Sequence, residues 1–148
     1  MARPEVVVVG VGALGSHLVL LARNLEADLV VVDFDRVERK NVLSQLHTLQ
    51  GVGRNKATAL QQAMAGMFGV KVRAVPHKLT VDNAEVLLGK AALVVDALDN
   101  GASRRVVQGL VRARGIPCLH GALAPDGALG RVVWDEDFTV DDEADVGA

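Results

Sequence analysis

Gly10, Val11, Gly12, Ala13, Leu14 and Gly15 form a G-x-G-x-x-G turn. Such a turn handles phosphate when it follows a strand and opens a helix. The first glycine permits the tight bend, the second lets a phosphate reach the backbone, and the third lets the helix pack close to the strand. Free N–H groups at the helix start, reinforced by the helix dipole, favour an anion there. The other reading of the same six residues is a tight structural turn without a ligand. Asp33 closes a second apolar run, a place from which an acid can accept hydrogen bonds from ribose hydroxyls. Turn and acid together fit NAD and ATP equally, and on their own would point to a dehydrogenase. The string Gly51, Val52, Gly53, Arg54, Asn55, Lys56 is not a P-loop, because its glycine-to-lysine spacing is wrong.

The elements that must position these groups follow from hydrophobic period. Continuous apolar runs at 6–9 and 29–32 read as buried strands, ended by Gly10 and Asp33. Between them Leu14, Leu18, Leu21 and Leu25, spaced four, three and four apart, predict one helix face. Residues 37–50 are mixed and polar, a loop with a short helix. Ala57, Leu60, Met64 and Met67 mark a further helix. A third strand is expected at 70–74, then a short helix capped by Thr80 and stopped at Gly89, and a fourth strand at 92–95 ended by Asp96. A helix over 103–114 ends at Gly115, a natural left-handed cap. Strands at 117–119 and 129–134 follow, the second after a turn at Pro125, Asp126 and Gly127. Strands alternating with helices predict an α/β, Rossmann-like, mainly parallel sheet with helices on both faces. The expected domain covers 1–134, and the acidic stretch 135–148 is expected to be a flexible tail or to need a partner for order.

The segment 33–45 departs from a plain dinucleotide fold. It holds Asp33, Asp35, Val37, Asn41 and Gln45 in the pattern D-x-D-x-V-x-x-x-N-L-x-R-Q, with Val42 and Ser44 at the leucine and arginine positions. Gly53, Arg54, Asn55, Lys56 and Ala57 give G-x-x-K-A; Val94, Val95, Asp96, Asp99, Asn100 and Arg104 give V-V-D-x-x-D-N-x-x-x-R. Gly115, Ile116 and Pro117, with Gly121 and Ala122, match a later segment. In register, these motifs resemble the ThiF-type, ubiquitin-activating-enzyme-like adenylyltransferases, over about 6–134.

The resemblance implies binding of Mg·ATP and activation of a carboxylate as an acyl-adenylate. The carboxylate would be the C-terminal glycine of a ubiquitin-like or sulfur-carrier protein, or a small carboxylate such as one on a modified tRNA base. By the same resemblance, Lys56 binds the phosphates and Asp99 holds Mg²⁺, an oxygen-seeking ion that one or two carboxylates plus phosphate and water can satisfy. Asp33 takes the ribose; Gly10, Gly12, Ala13 and Gly15 form the phosphate turn; Asn41 and Gln45 line the nucleotide pocket. Asp35 shapes the loop or assists the triphosphate end. No general base is required, since a carboxylate is already ionised near neutral pH. A homodimer or heterodimer is also implied.

Bland readings stand beside these. Lys56 on a helix is by default a solvated charge. Asp99 or Asn100 could cap the following helix. Asp96 and Arg104 read as structural, Cys118 as a small buried hydrophobe, and His17, His47 and His77 as structural or surface residues. His120, after the fifth strand, is either a substrate contact at the mouth or a packed residue. Ser44 stands where the family has an arginine, and a serine offers a phosphate no planar cationic fork. Arg3 is the only candidate for an arginine that relatives contribute from an N-terminal arm. Two alternative functions therefore remain: a catalytically degenerate partner subunit, which Ser44 favours, and an NAD-binding oxidoreductase, which leaves Lys56 unexplained.

Bulk properties narrow the field further. At 148 residues, half of them hydrophobic and 23% charged, the chain has the make-up of one ordinary globular domain. Aromatics are 3%, so aliphatic side chains must fill the core. A net charge of −2 without a basic cluster predicts no nucleic-acid surface, and no apolar run approaches the roughly 18 residues of a membrane span. One cysteine can make neither an internal disulfide nor a Cys-rich zinc site. The residues before the first strand lack the basic segment and small-residue cleavage site of a secretory leader, so no leader is expected and the cytoplasm is the expected compartment.

Overall fold

Four consecutive valines in the first strand cannot alternate inside and outside, so this strand must be covered on both faces. The computed structural model, which describes residues 2–140, satisfies that demand with a central sheet between two helical layers. Strands β1 (Glu5–Val9), β2 (Asp28–Val32), β3 (Arg73–Val75), β4 (Leu93–Asp96), β5 (Cys118–Leu123) and β6 (Gly130–Trp134) lie in the order β3-β2-β1-β4-β5-β6. The first five are parallel; β6 runs antiparallel to β5. Helices α1 (Gly15–Leu21) and α2 (Lys56–Phe68) cover one face, where Val8, Val31, Val19, Leu60 and Met64 pack together. Helices α3 (Ala84–Leu88) and α4 (Gly101–Arg114) cover the other, with Val7, Val9, Val94, Leu88 and Val107. This is the expected Rossmann-like architecture.

Several local expectations are corrected. Helix α1 is only seven residues long, and it does not bury the leucine row. Leu21 is 73% exposed, Leu25 lies outside the helix and is exposed, and the buried positions are Gly15, Ser16 and Val19. The small residues win because the helix start lies against the glycine turn: a side chain on Gly15 would collide with the carbonyl of Gly10. Gly10 itself has φ 89°, and a Cβ there would sit 2.8 Å from the carbonyl oxygen of Ala97. Strand β3 begins at Arg73 rather than 70, Val72 filling the core just before it. Strand β5 runs on to Leu123 because β6 returns beside it, pairing His120 with Val133.

The folded domain also extends beyond 134. Asp135–Asp137 form a 3-10 turn, and Phe138 behind it is 8% exposed. What draws this acidic stretch in is charge: Asp135 meets Arg112 of α4 and His120 of β5. The remainder of the expected tail, 141–148, lies outside the described residues.

The contact between Gly15 and Gly10 gives a direct test. Gly15→Ala should cost about 2 kcal/mol or more, the range for forcing atoms into a packed site. A urea denaturation midpoint unchanged from the parent chain would show that α1 does not approach the turn this closely.

Candidate functional site

Strand order reverses between β1 and β4, and their carboxyl ends diverge to opposite helical layers. In an open parallel sheet this leaves a crevice outside the strand ends. A cavity of about 310 Å³ opens there, lined by Gly10, Gly12, Ala13, Asp33, Asp35, Gln45, Lys56 and Asp99 among others. Eight of the ten residues expected from the sequence are therefore brought together.

The turn is held from two sides. Gly10 N–H donates to the Val32 carbonyl at 2.8 Å, and Val11 N–H donates to Asp33 Oδ2 at 2.8 Å. Asp33 Oδ1 accepts the Asp35 N–H at 2.9 Å. Burial pushes the Asp33 carboxyl above its ordinary range, and the two N–H donors only partly offset it. On the other side His47 Nε2 donates to the Val11 carbonyl at 2.9 Å. Burial lowers the affinity of His47 for a second proton, with Lys56 adding to the effect. Its Nδ1 is buried with no hydrogen-bond partner.

Lys56 opens α2. Asn55 caps the helix by accepting from Thr58 N–H at 3.0 Å, while its Nδ2 donates to the Asp33 carbonyl at 2.8 Å. Lys56 N–H donates to the Asp35 carbonyl at 2.8 Å. The start of α2 is thus pinned to the segment after β2 through the main chain of Asp35. Lys56 is 9% exposed, and among the described residues its ammonium has no hydrogen-bond or ion-pair partner. It attracts Asp33 across the crevice without touching it.

Two expected residues are not in the cavity lining. Asn41 is buried in the 3-10 turn Arg39–Leu43, where its Oδ1 accepts Glu38 N–H at 2.7 Å and its carbonyl accepts Gln45 N–H at 2.8 Å. A short polar side chain at that place closes a reciprocal cap, so it builds the turn that delivers Gln45. Gly15 is occupied by the packing against Gly10. Gln45 does reach the site: it lies beside Gly12, and its Oε1 is buried without a partner. Phe34, His77, Lys78 and Leu79 also line the cavity, with Leu123 at the end of β5. No motif marks them, but their position after strand ends is the same signal that pointed to Asp33.

Asp99 is exposed, between Leu98 and Asn100. Asn100 performs the capping, accepting Ser103 N–H at 2.9 Å, which leaves the Asp99 carboxylate without a contact among the described residues. Asp96 and Arg104 form a buried ion pair at 3.1 Å, as the structural reading expected. Cys118 is buried in β5, its thiol pushed up to about 12 by burial and by Asp96 and Asp135, which disfavours the reactive thiolate. His120 is not at the mouth. It is buried inside β5 between Asp96 and Asp135. Among the described residues no group of three or more His, Cys, Asp or Glu is arranged so that it could hold a metal ion.

The layered fold, with a crevice at the switch point that holds a glycine turn, a sequestered lysine and an exposed carboxylate, is that of a Rossmann-like α/β domain. The chain belongs to the ThiF family, which it matches over residues 1–140. It is 35% identical over 145 residues to the SAMP-activating enzyme E1 of Haloferax volcanii, covering 89% of this chain and 54% of that protein. It is 38% identical over 127 residues to a sulfur carrier protein adenylyltransferase of Thermus thermophilus, covering 83% and 46%. The E. coli tRNA N6-threonylcarbamoyladenosine dehydratase TcdA, solved in complex with ATP, superposes with a TM-score of 0.73 at 27% identity, over 82% of this chain and 52% of that one. The chain spans about half the length of the curated relatives it matches.

His47 yields a pH prediction. Unfolding frees the ring to take up a proton near its ordinary value of 6.5, while the folded chain takes it up only at lower pH. The unfolded state is then the better proton acceptor, and the stability present above that value declines as pH falls through it. Urea midpoints at about pH 7.5 and about pH 5.5 should differ more in the parent chain than in His47→Gln. Equal differences would remove His47 from the account.

Proposed function

We propose that this chain is the nucleotide-binding domain of an adenylyltransferase that binds Mg·ATP and activates a carboxylate as its adenylate. The observation that carries the reading is Lys56: a sequestered ammonium facing a glycine turn, with no carboxylate in contact. A buried charge is costly unless it is paired, and a triphosphate in the crevice would supply the missing partner.

The other residues divide the ligand between them. Lys56 and the N–H groups of Gly12 and Ala13 hold the phosphates, and the charge-assisted contact of Lys56 is the strongest of these. Asp33 keeps lone pairs for the ribose hydroxyls while its two backbone donors fix the carboxylate. Gln45 turns its unpartnered Oε1 into the same space. Asp99 fits Mg²⁺, since a lone exposed carboxylate beside a triphosphate is the donor set that this ion uses. When bound, Mg²⁺ supplies positive charge against the charge developing on the phosphates. The incoming carboxylate attacks the α-phosphorus, the bond to the bridging oxygen breaks, and pyrophosphate departs. The carboxylate stays ionised until it attacks, so no side chain need take a proton.

The substrate class is supported by the names of two relatives, a SAMP-activating enzyme and a sulfur carrier protein adenylyltransferase. We therefore take the carboxylate to be the C-terminus of a ubiquitin-like or sulfur-carrier protein. Assembly as a dimer and action in the cytoplasm belong to the same proposal; among the described residues no helix is long and apolar enough to cross a membrane. A catalytically degenerate partner subunit is the second reading, favoured by Ser44, whose exposed position beside Gln45 carries no cation.

Isothermal titration of the chain with ATP, with and without Mg²⁺ and with NAD in parallel, tests the reading. ATP should bind and NAD should not. Lys56→Ala should weaken ATP by about tenfold or more, the loss of one hydrogen bond from a charged donor, and Asp99→Ala should remove the gain that Mg²⁺ confers. Binding without pyrophosphate exchange, carrier present, would favour the degenerate partner. NAD binding alone would overturn the site assignment.

A further inference from the structure

His120 sits where β5 passes between α4 and the segment after β6, with carboxylates on both sides. Its Nδ1 is 2.6 Å from Asp96 Oδ2 and its Nε2 is 2.8 Å from Asp135 Oδ1. Each ring nitrogen thus lies at hydrogen-bond distance from a carboxylate oxygen, and the ring ties the two acids together. Its face stacks on Phe138 at 4.0 Å and 7°. The charged groups around it come from every packed element: Asp96 from β4, Arg104 and Arg112 from α4, and Asp135 after β6. Cys118, 3.6 Å from Nε2, is the remaining titratable neighbour.

What the network holds is more telling than its composition. Asp96 gives Oδ2 to His120 and to Arg104, and its Oδ1 accepts the Leu98 N–H at 2.9 Å. Arg104 in turn donates to the Leu98 carbonyl, and to the Gly121 carbonyl at 2.9 Å. Both backbone polar groups of Leu98 are therefore fixed by the pair that His120 braces, and the next residue is Asp99. At the far end Asp135 is gripped by Gln108 at 3.0 Å and Arg112 at 2.7 Å.

We propose that His120 is a positioning residue for Asp99, bridging Asp96 and Asp135 so that docking of the segment 135–138 and the geometry of the Asp99 loop rise and fall together. The functional consequence rests on the reading of Asp99 as the magnesium ligand. Coupling of this kind is reciprocal: Mg·ATP in the crevice would tighten the packing of Phe138, and loosening that segment would weaken the metal.

His120→Gln can keep one hydrogen bond but cannot span both carboxylates; Asp135→Asn, nearer the surface, loosens the same bridge with less risk to the fold. In the ligand-free chain, either variant should speed hydrogen exchange at the Leu98 amide by about tenfold while the thermal transition stays cooperative. In ATP titrations each should reduce the Mg²⁺-dependent gain in affinity by about tenfold, the lower end for partners behind a metal ligand, with affinity in EDTA unchanged. On an Asp99→Ala background neither should have any further effect on the metal gain. Unchanged Leu98 exchange in both folded variants would overturn the coupling. Altered exchange with an intact magnesium gain would overturn the positioning role. If the parent chain shows no magnesium gain at all, the ligand assignment of Asp99 fails and the positioning role with it, while Leu98 exchange still decides the coupling by itself.

Discussion

The Asp33 carboxylate is the interaction from which the site is assembled. It accepts the Val11 N–H of the glycine turn and the Asp35 N–H of its own loop, and the Asp33 carbonyl takes the side chain of Asn55, which caps the helix carrying Lys56. One residue thus gathers three segments that are far apart in the chain. The arrangement has a cost, because burial raises the proton affinity of that carboxyl. Its two N–H donors and Lys56 opposite work against that rise, so acid and ammonium define the electrostatics of the crevice together.

A second buried carboxylate, Asp96, organises the opposite wall. Asp96, Arg104 and His120 are almost completely withdrawn from solvent. Desolvating charges is expensive, and removing one partner from such a set costs about 3–5 kcal/mol. For Asp135, burial would raise the carboxyl, yet hydrogen bonds from Arg112, Gln108 and His120 outweigh it and hold it below its ordinary value. An acidic segment that reads as soluble tail is drawn into the fold by this excess of donors.

That contrast shows what could be read from the sequence. The sheet was legible because its signal is local and redundant: apolar runs at regular intervals, each closed by Gly or Asp. The crevice was legible because motif residues at strand ends are placed by the topology itself. The leucine row of α1 misled because a close helix-to-turn approach favours Gly15 and Ser16 over larger side chains, and nothing in the period of the leucines reveals that distance. Asn41 and Gln45 share one motif, yet only Gln45 reaches the cavity; Asn41 lies within the 3-10 turn and Gln45 past its end, and the spacing alone does not fix which side chain points inward. His120 and Asp135 stand 15 residues apart in the chain and pair across a hairpin, so their meeting follows from β6 returning beside β5.

The mixed character of the sheet bears on how it is built over time. Strands β5 and β6 join through the short connection 124–129, whereas β1 and β4 must meet with most of the domain looped out between them. Closing a long loop loses more chain entropy before any contact repays it, and non-local parallel pairings are slow to form. The hairpin at one edge is therefore the natural early element. On that entropic argument the seam between β1 and β4 closes late, and the crevice, which lies on it, takes shape only once those two strands have met.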